Sequence, residues 1–265
     1  MKKVFAFLAI AAMVMVACGK KNPTPVDPGT NPGTEDPGTE QPEEKVYEQP
    51  VIIDGEFADW AKLPADKVKV GKTVAGCAEG WDAVKEIRCY SDDFFVFYYI
   101  EYDAAQIDGL LAATVGADGL PIRLCINTDG EFTSGYASYF AQAYDFIIEG
   151  SLANEGAWTS FDGTLHQRID GGWVALQEGG LCTGAGKDNK YEICLMRDIF
   201  NAAAMTSTVT MPMGEIFHTG IRFYTPDWGE LSNVPNSVPN PDSEVKAEQK
   251  GWGDLLEIHT VPVEE

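Results

Sequence analysis

The chain has 265 residues, with 41 acidic side chains against 19 basic ones and a formal net charge of −22 at pH 7. That balance excludes nucleic acid and anionic lipid head groups as partners held by charge. Aromatic residues at 11% and 27 glycines suit an all-β fold rich in turns.

Lys2 and Lys3 precede the apolar run 4–17, which is too short to span a bilayer as a permanent helix, so residues 1–17 read as a signal peptide. Its end, Met15-Val16-Ala17-Cys18-Gly19, resembles a bacterial lipobox, with Met15 where Leu is usual. Cys18 is then a lipid anchor, and the expected location is the cell envelope, as an outer-membrane lipoprotein. Lys20-Lys21-Asn22 lacks an acidic export run, and the periplasmic and exterior faces both stay open. Residues 18–45 are dominated by Pro, Gly, Thr and acidic side chains, with Pro-Gly-Thr beginning at Pro28, Pro32 and Pro37. Such a segment has too little apolar surface to offset its chain entropy and reads as a solvated tether.

Residues 46–265 are enough for one large β domain with a single core. The opening stretch 51–60, VIIDGEFADW, reads as an apolar strand, an Asp54-Gly55 turn and a second turn carrying Trp60, more a core plug than a ligand platform. Residues 66–74 alternate as a strand. Runs 84–90 and 94–102 form a hairpin about Ser91-Asp92-Asp93, with its acidic turn expected in solvent. The second run is apolar on both faces, as in the middle of a sandwich. A short helix is expected within 103–114 and a strand at 121–127. Asn127, Asp129 and Glu131 alternate around Gly130, a spacing from which oxygen ligands converge on Ca²⁺. Phe132 stands where an EF-hand needs Gly, and a plain turn is the other reading. Short strands follow at 143–149, 157–161, 165–169 and 173–177, then a strand at 190–196, a short helix at 197–205, and strands at 215–224 and 254–261. The fold class is therefore all-β, an antiparallel sandwich of jelly-roll or immunoglobulin-like type with one or two short helices.

Ile53-Asp54-Gly55 followed by Asp59-Trp60, with the Asp92-Asp93 turn, its aromatic strand and Asp103, resembles family-9 carbohydrate-binding modules and their relatives, a β-sandwich group of bacterial secreted proteins. The resemblance implies a carbohydrate partner. In it, the strand at 190–196 would carry a Glu before an Ile-Pro pair. Cys194 stands where that Glu is expected and Leu195-Met196 replaces the pair, a departure that puts in doubt any function carried by that Glu.

Hydrolase signatures are missing: there is no Gly-x-Ser-x-Gly, and His166, His218 and His259 share no helical spacing. Gly184-Ala185-Gly186-Lys187 fails as a phosphate loop, because Leu181 and Asp188 occupy its first-Gly and hydroxyl positions, and it reads as an ordinary loop. Cys89, Cys125 and Cys194 read as small buried hydrophobes, while Cys77 and Cys182, in loop-like surroundings, leave one disulfide open. The leading reading is a non-catalytic glycan-binding lipoprotein with no cofactor beyond a Ca²⁺ in the 127–131 loop. The alternative is a structural or adhesive lipoprotein that binds another protein, and a glycan-processing enzyme ranks third. Strand positions belong to the core, so the recognition surface is expected in the long stretch 225–253. Tyr224, Trp228 and Trp252 form the candidate platform, with Asp227 and Asn233 as hydroxyl partners; otherwise both tryptophans pin the loop.

Overall fold

A computed structural model describes residues 47–137, 142–207, 211–242 and 250–263. The signal peptide, Cys18 and the tether lie outside the described residues. The first sheet runs in the order β1 (Lys69–Lys72), β2 (Val84–Ser91), β3 (Phe95–Tyr102), β11 (Lys190–Met196), β10 (Cys182–Lys187), with every neighbouring pair antiparallel. The second runs β13 (Glu230–Val234), β12 (Ile216–Tyr224), β4 (Pro121–Asn127), β5 (Phe146–Ser151), β8 (Thr164–Ile169), β9 (Gly172–Glu178), with β14 (Leu256–His259) continuing the β13 edge along β12. A short ladder of β6 (Ala153–Asn154) and β7 (Ala157–Trp158), two α-helices, α1 (Ile107–Ala112) and α2 (Arg197–Ala204), and two 3-10 helices at Phe57–Lys62 and Trp81–Ala83 complete the elements among the described residues. The protein is an antiparallel β-sandwich.

Alternation decides which side chains meet between the sheets. Ile87, Val96, Tyr98 and Ile100 point in from the first sheet, and Ile122, Leu124, Ile126, Phe146, Ile148, Ile221 and Phe223 from the second; all are fully buried. Each such Ile or Phe contributes about 1.5–3 kcal/mol by leaving water. One polar bridge crosses this layer, Tyr98 Oη to Thr219 Oγ1 at 3.1 Å, and Thr219 also donates to the Cys125 carbonyl.

β3 is apolar on both faces because both are covered. Its outward residues Phe97 and Tyr99 lie under Val51, Trp60 and Leu63 of the opening segment, beside Tyr90 and Cys194. Trp60 is 4% exposed, the core plug its sequence suggested. The same strand carries a buried Glu two residues before Cys194. Glu192 accepts from the backbone N–H of Asp54 (3.0 Å) and Gly55 (2.9 Å) and from Trp60 Nε1 (3.2 Å), binding the first turn to the sheet.

Five expectations change. The apolar run 51–53 forms no strand, and the segment instead enters a 3-10 helix at Phe57–Lys62. Asp92 is 2% exposed rather than in solvent: its carboxylate accepts from the N–H of Phe94 and Phe95 and from Tyr47 Oη, so the charge is used to close the β2–β3 turn. Residues 182–187 form β10 instead of a loop, with glycines because Tyr191 and Trp158 lie where Cβ atoms at Gly184 and Gly186 would stand. Cys182 lies buried on this strand and Cys77 is separate from it; both are free thiols. The stretch 225–253 is not structureless, since β13 occupies Glu230–Val234.

Candidate functional site

With Ile122, Leu124, Ile221 and Phe223 turned inward, Arg123, Arg222 and Tyr224 must project from the outer face of the second sheet. Register places Asn233, Arg222, Arg123, Glu149 and Thr164 opposite one another on successive strands, so a polar row crosses that face. Arg123 Nε donates to Glu149 Oε2 at 2.6 Å, and its Nη1 to Tyr224 Oη at 3.0 Å. Its guanidinium lies 5.0 Å from the Tyr224 ring centre and 5.8 Å from that of Trp228. Burial pushes the Tyr224 hydroxyl up to about 12, against the pull of Arg222 and Arg123, so it stays a neutral hydrogen-bonding group at physiological pH.

The β12–β13 connection, residues 225–229, raises Trp228 over this row. Thr225 N–H donates to the Gly229 carbonyl and Trp228 N–H to the Thr225 carbonyl, both at 2.8 Å, closing a tight loop. Trp228 sits at φ +65°, a left-handed conformation that costs a bulky residue about 1–2 kcal/mol. Its indole is 40% exposed and 5.5 Å from the Tyr224 ring, which is 7% exposed beneath it. Asp227, at the tip, accepts from Thr225 Oγ1, and that bond holds its carboxyl below the usual range.

Trp252 is half-buried, edge-on to Trp81 at 6.1 Å, with the Arg222 guanidinium 4.3 Å from its ring centre. Arg222 also lies 5.8 Å from Tyr224 and donates through Nη2 to Glu230, which Lys250 also reaches. The three predicted aromatics thus share one face, joined through Arg222, in unequal roles: Trp228 open, Tyr224 below it, Trp252 a side wall. Asn233 is a β13 residue, 1% exposed, and its Nδ2 donates to the Pro235 carbonyl at 3.1 Å.

In the 127–131 loop, Asn127 is buried: Nδ2 donates to the carbonyls of Glu131 and Ala143, and Oδ1 accepts from Gly130 N–H. Asp129 accepts from Glu131 N–H, and both acidic side chains are exposed. Among the described residues no group of three or more His, Cys, Asp or Glu is placed to hold a metal ion. Beside the loop, Asp145 is 4% exposed and accepts from Thr128 N–H (2.8 Å) and Oγ1 (3.3 Å).

Sequence reasoning placed recognition on loops and so missed Arg123, Arg222, Arg168, Glu149, Tyr136 and Trp173. The signal was available: Ile122-Arg123-Leu124 and Ile221-Arg222-Phe223 each set a guanidinium between inward apolar neighbours at strand period. The assembled chemistry is an open indole beside fixed N–H donors and carboxylate acceptors. Rings present a flat apolar surface, and the charged groups are positioned by one another rather than free to collapse onto it.

No protein-family model matches the chain, and no curated protein matches it. Among solved structures it is similar to a carbohydrate binding module family 9 from Caldicellulosiruptor kristjanssonii, in complex with glucose. The identity is 10%, with 83% of this chain and 95% of that chain covered and a TM-score of 0.39.

Proposed function

We propose that this chain is an extracytoplasmic bacterial lipoprotein whose sandwich binds carbohydrate without transforming it. The observation that carries this reading is Trp228, 40% exposed and kept at φ +65° by a closed loop over Arg123 and Tyr224. An exposed indole in a strained backbone favours a use in contact over a use in packing. A sugar ring stacks its C–H face on such an indole, while guanidinium and carboxylate groups at its edge exchange hydrogen bonds with hydroxyls. Glu149 and Glu230 are each engaged by an arginine, which suits positioning of hydroxyls better than proton transfer.

The mature chain bearing Cys18→Ala, displayed to a glycan array, should retain at least one oligosaccharide. In calorimetry with that ligand, Trp228→Ala should weaken binding several-fold, since one stacked ring contributes about 1 kcal/mol. Retention of a protein partner but no saccharide would instead establish the adhesive reading.

A further inference from the structure

The aromatic and guanidinium contacts do not stop at Trp228 and Trp252. From Arg222 they continue across the sheet to Tyr136, whose ring centre is 6.0 Å from the guanidinium and whose hydroxyl accepts from Nη1 at 3.4 Å. Arg168 follows, 5.3 Å from the Tyr136 ring centre and 5.6 Å from that of Trp173, and the two rings meet edge to face at 5.3 Å. Trp173 and Arg168 are direct cross-strand partners, brought together by the tight β8–β9 turn at Asp170 (φ 49°) and Gly171 (φ 81°). Guanidinium and ring therefore alternate from Trp228 to Trp173.

We propose that this face takes an acidic saccharide, and that Arg168 receives its carboxylate or sulfate. A guanidinium laid against a ring keeps its in-plane N–H groups available, five donors in a fixed fork. Arg123 directs donors to Glu149 and Tyr224, and Arg222 to Glu230 and Tyr136. The Arg168 side chain is half-buried, and its guanidinium, unlike its backbone N–H, which donates to the Asp145 carbonyl, has no hydrogen-bond acceptor among the described residues. The chain has five arginines. Of the two outside this face, Arg88 pairs with Glu86, and Arg197 is buried on Ser91, Thr260 and Gly214. In a protein of net charge −22, the one guanidinium fork without a hydrogen-bond or ion-pair partner among the described residues thus lies between two rings on the face where a sugar would lie. A ligand oxyanion fits that fork by two parallel charge-assisted bonds, which a neutral hydroxyl cannot supply.

This proposal rests on the carbohydrate reading, and its test separates the two. The mature chain bearing Cys18→Ala is titrated at about 0.15 M ionic strength, where the Debye length is about 8 Å. The probes are oligogalacturonate, a sulfated galactan oligosaccharide free of uronic acid, and the neutral galactan oligosaccharide. We expect one acidic probe to bind about tenfold tighter than the neutral one, a difference of about 1.4 kcal/mol. Whichever acidic probe is preferred identifies the oxyanion. Arg168→Gln should abolish the preference, bringing the affinity for the acidic probe down to that for the neutral one, and Arg168→Lys should restore part of it, a point charge lacking the fork. Neutral binding that Trp228→Ala weakens, without any acidic preference or with a preference that survives Arg168→Gln, would overturn the Arg168 assignment and leave the carbohydrate reading standing. Binding of no saccharide by the wild type would remove both.

Discussion

Trp228 sits in a backbone conformation that glycine adopts without strain, so the indole there is retained against a conformational cost. If the ring merely pinned its loop, removing it would cost stability whatever replaced it. If it is a platform, Trp228→Gly loses the contacts with Tyr224 and Arg123 but recovers the left-handed penalty, the two offsetting at about 1 kcal/mol each. We therefore expect Trp228→Gly to unfold in urea within about 0.5 kcal/mol of wild type and Trp228→Ala to be about 1 kcal/mol less stable than Trp228→Gly. A glycine variant several kcal/mol weaker than wild type would make the tryptophan structural. Asp145 makes a second single-residue test. Burial pushes its carboxyl up from 3.8 to about 6, against the two Thr128 hydrogen bonds, with Asp129 nearby adding to the rise. Between about pH 4 and pH 6 the folded protein then holds a proton that the unfolded chain has released. Stability supplied by this group is therefore full at low pH, falls as pH rises through that window, and levels off above it. Asp145→Asn should match wild type near pH 4 and exceed it by at most about 3 kcal/mol at pH 7, as read by denaturation at several pH values. An advantage that stays constant from pH 4 to pH 7 would show that Asp145 does not titrate in this way.

Among elements, the opening segment depends on a single buried carboxylate. Glu192 in β11 takes three N–H donors from Asp54, Gly55 and Trp60, and burial, the largest influence, raises its pKa despite them. Glu192→Ala should strand these donors and open the cover over Phe97 and Tyr99, costing about 3 kcal/mol or more. Glu192→Gln keeps one acceptor and should cost less. Equal melting of Glu192→Ala and wild type would mean that the segment is held by its apolar contacts alone. This element is half legible in sequence: Val51 and Trp60 announce a covered face, but nothing within the run 190–196 marks Glu192 as the carboxylate that receives the turn. Strands whose side chains are mostly apolar, such as β4 and β11, could be bounded directly from the chain. β10, CTGAGK, could not, because its glycines answer to Tyr191 and Trp158, residues from other strands that period counting within six positions cannot see. β13, ELSNV, was hidden for a related reason. Its polar side chains resemble a loop until Ser232 Oγ is found donating to the Trp81 carbonyl and Asn233 to that of Pro235. The candidate site divides similarly: Tyr224, Trp228 and Trp252 stand out by type, whereas Arg123, Arg168 and Arg222 acquire meaning only when register aligns their strands.

At the scale of the whole molecule, the proposed leader and the proposed carbohydrate-binding face pose one joint problem, that of keeping such a face in contact with its ligand. A single open indole and a few hydrogen bonds would give modest affinity, for which a membrane anchor would compensate by holding many copies on one surface. The residues proposed for this are Cys18 and the tether 18–45. Lipid attachment contributes about 0.8 kcal/mol per buried CH₂, and a single chain holds only marginally, so two chains on one cysteine mark the difference between release and retention. Cys18→Ala should accordingly move the protein from the membrane fraction to the soluble one, and mass spectrometry of the wild type should find acyl chains on Cys18. The same variant should bind the array-identified saccharide with unchanged affinity in solution, because the residues proposed to bind it, Arg123, Arg222 and Trp228, all belong to the sandwich. It should fail to retain that saccharide on vesicles or cells. Wild type lacking acyl chains, or a Cys18→Ala variant still in the membrane fraction, would refute the anchor and leave the sandwich to be explained as a secreted domain.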